Sequence, residues 1–249
     1  MFYLREHSLE TLDPVFQSLR TDGTLFPNDS AVARDWAARG NYEQSLIDWA
    51  ASLIDPSKIF LDIGAHVGTY SLTLAKHCAG VHSFECCPKT FNYLCANIAI
   101  RELDYSITPY RTALGREPGT IPYYIHSPKD GAGNSCIDFV GRTSKSIQVP
   151  VATLDSFHLD NIGLLKIDVE GFEKDVMEGG LQTLKRNNYP RIMFESWRPA
   201  REQEGVPAVR LREELFTYVR SIGYQIVPVR GWDEMFIAEH TGTAPTPAA

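Results

Sequence analysis

Three groups of residues in this chain have the types and spacing to do chemistry. The first is Asp62-Ile-Gly64-Ala65-His66-Val-Gly68, which directly follows the apolar run Ile59 to Ile63. A glycine turn between a strand and a helix presents backbone N–H groups to a nucleotide-like ligand. The spacing is Gly-Ala-x-x-Gly, not Gly-x-Gly-x-x-Gly, and Asp62 stands two residues before the first glycine. A carboxylate there repels a pyrophosphate and attracts an ammonium, or the water around a cationic ligand. S-adenosylmethionine (SAM) carries an adenosine, an ammonium and a sulfonium but no phosphate, so by charge it fits this turn better than NAD does.

The second group is Glu85, 21 positions after Gly64. In nucleotide-binding folds an acidic residue about 20 positions on accepts hydrogen bonds from ribose hydroxyls. The third is Lys166-Ile-Asp168-Val-Glu170-Gly171, with Glu195 further on in Phe-Glu-Ser-Trp. Asp168, Glu170 and Glu195 each end or follow an apolar run, where open α/β sheets bind their ligands. Each is a candidate catalytic carboxylate: Asp168 to position the cofactor, Glu195 to act as base. Asp168 or Glu170 could instead cap the following helix, and Lys166 could pair with either. The three carboxylates offer oxygen ligands of the kind a divalent ion takes, but their spacing does not demand one, and metal-free binding is expected. His66 lies in the glycine turn, where local hydrogen bonding is the usual role of such a histidine; His126 and His158 have weaker claims. Cys86-Cys87 reads as packing and turn chemistry.

These residues need a parallel sheet to hold them. Residues 42–54 read as a helix with an apolar face of Leu46, Ile47, Trp49, Ala50, Leu53 and Ile54. A strand over 59–63, a helix over 71–78, a strand over 81–85 and a helix begun by Pro88 follow. Residues 107–114 read as a third strand. Two βα units in succession imply a parallel sheet with right-handed crossovers. Residues 116–150 interrupt the pattern with strands over 121–125 and 147–152 around Asp130-Gly-Ala-Gly-Asn-Ser135, a hairpin-like insertion expected to act as a lid. Strands over 163–169 and 191–196 enclose one helix opening at 170–173. A helix through Leu211, Leu215, Val219 and Ile222 leads to an antiparallel edge formed by 224–229 and 234–238. The expected organisation is an N-terminal extension (1–40), one α/β domain (41–240) and a disordered tail (241–249).

The chain has 249 residues, 43% hydrophobic and 22% charged, with a net charge of −7. That suits one sizeable α/β core and disfavours a generic nucleic-acid binder. No apolar run approaches the roughly 18 residues of a membrane span, and the N-terminus lacks a signal-peptide layout. Cysteines 78, 86, 87, 95 and 136 are odd in number and contain no Cys-x-x-Cys pair, so neither a disulfide framework nor a zinc site is indicated. A reduced, cytoplasmic setting is expected.

Phe60-Leu-Asp-Ile-Gly-Ala-His-Val-Gly-Thr-Tyr70-Ser71 resembles the first motif of the FkbM-type SAM-dependent methyltransferases. Ser83-Phe-Glu-Cys-Cys-Pro88 resembles the second, with Cys86 where the family usually has proline. Thr153-Leu-Asp155, followed by Leu165-Lys-Ile-Asp-Val-Glu-Gly-Phe-Glu173, resembles the most specific one, and Tyr42-Glu43 resembles the helix that opens the family's core. The resemblance implies a Rossmann-like, mostly parallel seven-stranded sheet with helices on both faces. It also implies SAM as cofactor and methyl transfer to a hydroxyl, often of a sugar or natural product. With the residue reading, it places the cofactor against Glu43, Asp62, Gly64, Ala65, His66, Gly68, Tyr70, Ser71, Glu85, Ala113 and Asp168. The competing readings are an NAD-linked oxidoreductase, an RNA or protein methyltransferase, and a non-catalytic SAM-binding module. A stripe of Arg198, Arg201, Arg210 and Arg212 could guide RNA, although Glu202, Glu204, Glu213 and Glu214 interleave with it.

Overall fold

The computed structural model of the chain describes residues 24–27, 30, 43–126, 133–138 and 145–242. Most of the expected N-terminal extension, Tyr42, the centre of the insertion and the end of the tail lie outside the described residues.

The first half of the domain is α1 (Gln44–Leu53), β1 (Ile59–Ile63), α2 (Thr69–Leu74), β2 (Gly80–Phe84), α3 (Pro88–Ile100) and β3 (Ile107–Tyr110). Next come β4 (Ala113–Leu114), β5 (Gly119–Ile125) and β6 (Lys145–Ala152). The second half is β7 (Ile162–Ile167), α4 (Glu173–Glu178), α5 (Leu181–Arg186), β8 (Arg191–Glu195), α6 (Ala208–Ser221), β9 (Tyr224–Pro228) and β10 (Met235–His240).

Seven strands form one sheet in the order β3-β2-β1-β7-β8-β10-β9. All neighbours run parallel except β8 with β10 and β10 with β9. The strand order reverses between β1 and β7, and a crevice opens beyond the carboxyl ends of strands at such a reversal. Side chains alternate between two cores. Leu61, Ile63, Leu165, Ile167, Ile192 and Phe194 face α4, α5 and α6, whereas Phe60, Leu164 and Met193 face α1, α2 and α3.

Asp62 and Lys166 belong by alternation to the second face. They are register partners, and Ser83 is the partner of Asp62 on the other side. A polar row thus crosses three central strands inside the core. Ion pairing and hydrogen bonds keep it tolerable there, since an isolated charge could not remain buried.

Two expectations need correction. The run 107–114 is not one strand: β3 stays in the main sheet, while β4 leaves it to pair parallel with β6. β2 ends at Phe84, so residues beyond Tyr110 have no partner in the main sheet and take one from the insertion. There β5 and β6 pair antiparallel, from Gly119 with Val151 to Ile125 with Lys145. The helix expected after residue 170 is two, α4 and α5, broken at Gly179-Gly180. A Cβ on Gly179 would lie 1.9 Å from the Gly115 carbonyl oxygen, so the backbone must pass closely here.

Candidate active site

The glycine turn packs against its neighbours through the backbone. The N–H groups of Gly64 and Ala65 both donate to the Phe84 carbonyl, at 2.9 and 3.0 Å, and the Asp168 N–H donates to Ile63 at 3.0 Å. Gly64 has φ +82°, and a Cβ there would sit 1.8 Å from the Asp168 carbonyl oxygen. Only glycine allows β1 and β7 to end so close together.

The resulting cleft lies beyond the ends of β1, β2 and β7. Of the residues singled out from sequence, Glu43, Gly64, Ala65, His66, Tyr70, Glu85, Ala113, Asp168 and Glu170 line it. Among the described residues, the charged side chains on its wall are four acids, Glu43, Glu85, Asp168 and Glu170, and one base, Lys166.

Glu85 follows β2 and is buried. Its Oε2 accepts the His66 N–H at 2.8 Å, and its Oε1 accepts the Cys87 N–H at 2.8 Å and the Thr90 hydroxyl at 2.9 Å. One carboxylate therefore ties the glycine turn to the start of α3. Burial raises its pKa, against the lowering effect of these donors and of His66. Oε2 retains acceptor capacity toward the cleft.

Glu43, which precedes α1, accepts the Tyr70 hydroxyl at 2.7 Å. Burial and the Glu43 charge push the Tyr70 phenol well above its usual value. Lys166 lies 4.8 Å over the Tyr70 ring and donates to Asp168 Oδ2 at 3.0 Å; Asp62 Oδ1 is 3.8 Å away. Its ammonium opposes burial with three surrounding carboxylates, Asp168, Asp62 and Glu43, so its pKa is raised.

Asp62, Gly68 and Ser71, also singled out from sequence, do not line the cleft. Asp62 is fully buried and accepts the Ser71 N–H at 3.1 Å and the Ser71 hydroxyl, with Ser83 Oγ 2.7 Å from Ser71 Oγ. Its carboxylate holds the start of α2. Gly68 precedes α2 and packs against Leu94. A residue in the middle of a strand is covered by helices on either side, which the linear distance to the glycines does not reveal.

Asp168, Glu170 and Glu195 each offer an oxygen within 4.8 Å of the other two. Asp168 and Glu170 line the cleft, but Glu195 does not. The Trp197 indole donates to Glu170 Oε2 at 3.1 Å, and the Gly133 N–H also bonds this carboxylate. Burial and the nearby Asp168 charge push Glu170 up to about 7. Glu195 sits behind it with a buried Oε2 that has no hydrogen-bond partner among the described residues. Burial, then Glu170 and Asp168, raise its carboxyl well above the usual range. Like charges this close cannot all persist, and the hindmost group holds its proton most firmly.

Several residues of the site were not anticipated. Glu173, 3% exposed, accepts the N–H groups of Val169 and Gly171 at 3.1 and 3.0 Å, and burial holds it at about 8. It ties down the loop between β7 and α4, and α4 has no side-chain cap. Tyr123, Asn134 and Cys136 reach the wall from the insertion. The Ser135 hydroxyl donates to the Glu170 carbonyl at 2.6 Å, fastening the insertion beside the carboxylates. No sequence pattern signals that long-range contact.

Comparison with known proteins agrees with this architecture. The fold resembles a methyltransferase FkbM from Methylobacillus flagellatus KT, with 15% identity and a TM-score of 0.50. The match covers 91% of this chain and 58% of that one, so this chain spans well under two thirds of its length. It also resembles a putative rRNA-methylase from Clostridium thermocellum, with 10% identity, a TM-score of 0.51 and coverage of 79% and 93%. No curated protein matches in sequence. The model of the methyltransferase FkbM domain matches residues 62–226, two thirds of the chain and all of the glycine turn, Glu85 and the three carboxylates. The chain belongs to the FkbM methyltransferase family.

Proposed function

We propose that this protein is a SAM-dependent O-methyltransferase acting on a hydroxyl of a small molecule, a sugar or a natural product. The observation that carries the reading is the charge of the cleft wall, four acids to one lysine among the described residues, at the strand-order reversal. A cationic ligand is attracted there and a pyrophosphate is repelled, which separates SAM from NAD. The same acidity disfavours RNA. Within the arginine stripe, Arg201 and Arg210 are engaged by Glu204, Glu234 and Glu214.

The residues present fit SAM. Glu85 would take the ribose hydroxyls, and Asp168 with Glu43 would face the ammonium. When bound, SAM supplies a methyl group already activated for displacement, so the chain needs no covalent nucleophile. What remains is to align the acceptor oxygen and remove its proton. Glu170 is the base. It lines the cleft, it is oriented by Trp197, and its pKa near 7 suits proton transfer at neutral pH. This moves the role of base from Glu195, the candidate expected from sequence, to Glu170, because Glu195 stands behind Glu170 and acts through it; Asp168 keeps its positioning role. The insertion, fastened at Ser135, would cover the acceptor.

Isothermal titration with SAM, S-adenosylhomocysteine and NAD tests the reading, with and without a chelator. Binding of the first two, unaltered by the chelator, is expected; binding of NAD alone would refute the reading. A metabolite screen that follows S-adenosylhomocysteine release then identifies the acceptor.

A further inference from the structure

Lys166 stands between two carboxylates that meet the cleft differently. Its Nζ donates to Asp168 Oδ2 at 3.0 Å and lies 3.8 Å from Asp62 Oδ1. The Asp168 side chain is 30% exposed and lines the cleft, so a cation entering there meets it. The Asp62 side chain is 1% exposed and off the cleft wall. Both bonds from Ser71 go to Asp62 Oδ2. Oδ1 is buried and has no hydrogen-bond partner among the described residues. A buried carboxylate oxygen without a donor is costly, and in a folded protein it calls for an explanation.

Lys166 can supply that donor by a small movement. A shift of about 1 Å brings Nζ from 3.8 Å into hydrogen-bond range of Asp62 Oδ1. Asp62 and Lys166 are register partners on β1 and β7, so the side chain moves and the sheet does not. The Tyr70 ring lies under the ammonium, and its hydroxyl donates to Glu43. Three carboxylates, Asp62, Asp168 and Glu43, thus gather around one lysine. That excess of negative charge accommodates a second cation.

We propose that, with the cleft read as a SAM site in which Asp168 meets the cofactor's ammonium, Lys166 holds that ammonium's place in the empty protein and passes to Asp62 when the cofactor binds. Two cations on one carboxylate repel each other strongly in a partly buried site. A second carboxylate oxygen a short step away relieves the repulsion. No covalent bond changes and no proton moves: Lys166 stays an ammonium and exchanges Asp168 for Asp62 as its acceptor. Asp62 is then a positioning residue with one task for each oxygen. Oδ2 holds the start of α2, and Oδ1 receives the lysine. The exchange requires Oδ1 to be without a donor before the cofactor arrives, as it is here.

Crystal structures of the full chain with and without S-adenosylhomocysteine, which carries the same ammonium as SAM, read the exchange directly. With it bound, Nζ should stand within about 3.2 Å of Asp62 Oδ1 and have left Asp168. Lys166 remaining on Asp168, or turning to the cofactor's carboxylate, overturns the proposal. Asp62→Asn is the second arm. Its amide oxygen can keep both Ser71 bonds, while its NH2 replaces Oδ1 and offers the lysine no acceptor. Titration calorimetry should show S-adenosylhomocysteine weakened about tenfold or more. Methylthioadenosine, which lacks the amino-acid end, should bind as it does to wild type. Equal loss for both ligands, or loss for neither, overturns the proposal. Wild-type protein that binds neither ligand refutes the SAM reading and the proposal with it, whereas S-adenosylhomocysteine bound without the exchange refutes the proposal alone. The wild-type structures decide even if the variant fails to fold.

Discussion

Replacing Glu85 by glutamine should weaken both the apo fold and the cofactor site. The carboxylate accepts the His66 N–H on Oε2, and the Cys87 N–H and Thr90 hydroxyl on Oε1. An amide has one oxygen and one NH2, so either orientation sets a donor against a donor. With the oxygen toward Cys87, the NH2 faces His66; after a flip, it faces Cys87. The Thr90 hydroxyl can turn to the Cys87 carbonyl 3.3 Å away, but a backbone N–H cannot turn. One buried donor is therefore left unpaired, at a cost of about 1–3 kcal/mol. For a domain of this size each kcal/mol lowers Tm by about 2–4 °C. The lost ribose acceptor should separately weaken S-adenosylhomocysteine by about 1.5–3 kcal/mol, or roughly 10–150-fold in Kd. Denaturant unfolding of the apo protein and titration calorimetry measure the two effects independently. An apo Glu85→Gln protein as stable as wild type would falsify the geometric argument. A destabilised one with unchanged affinity would remove Glu85 from the ribose site.

Glu170→Gln should retain S-adenosylhomocysteine affinity and lose about 10²–10⁴ in single-turnover rate. In the wild type the base must be ionised, so the rate should rise with pH through about 7 and then level off; a limb that persists in the variant would exclude Glu170 as its source. Lys166→Met leaves Asp62 and Asp168 without their buried cation and should cost about 3–5 kcal/mol near pH 7. The Asp62 pKa is already raised above 3.8 by burial, and loss of Lys166 raises it further. A group with a raised folded-state pKa contributes stability at low pH that is lost as pH rises through that value. The deficit of the variant should therefore shrink as the pH falls below 7, and a constant deficit across that range would contradict the pairing. In Gly64→Ala, the left-handed backbone costs about 1–2 kcal/mol before the 1.8 Å approach to the Asp168 carbonyl is counted. A clear fall in Tm is expected, and a wild-type melting curve would show that β1 and β7 do not close on that residue. The insertion should exchange amide hydrogens more slowly at 133–138 with S-adenosylhomocysteine and acceptor bound; equal protection in both states would argue against a lid.

Much of this molecule was legible in the linear chain because its signals are local. Ile59 to Ile63 is a short apolar run ended by a glycine turn, and Pro88 with the Phe91, Leu94 and Ile98 spacing marks a helix. Those patterns depend on backbone geometry a few residues long, so β1, α3 and the placement of Glu85 and Asp168 at strand ends follow from them. Which face a strand residue meets is a different matter. Asp62 is one position from the turn, yet it is buried against Ser71, Ser83 and Lys166 from α2, β2 and β7. Only the register of three strands decided that it pins the start of a helix. Only packing decided that Glu170 stands in front of Glu195, and that Asn134 and Cys136 reach the cleft from a segment more than thirty residues away in sequence, fastened through Ser135 to the Glu170 carbonyl. Neighbouring residues in the chain are related by fixed bond geometry, whereas groups brought together across strands and insertions are related only by the way the whole core packs.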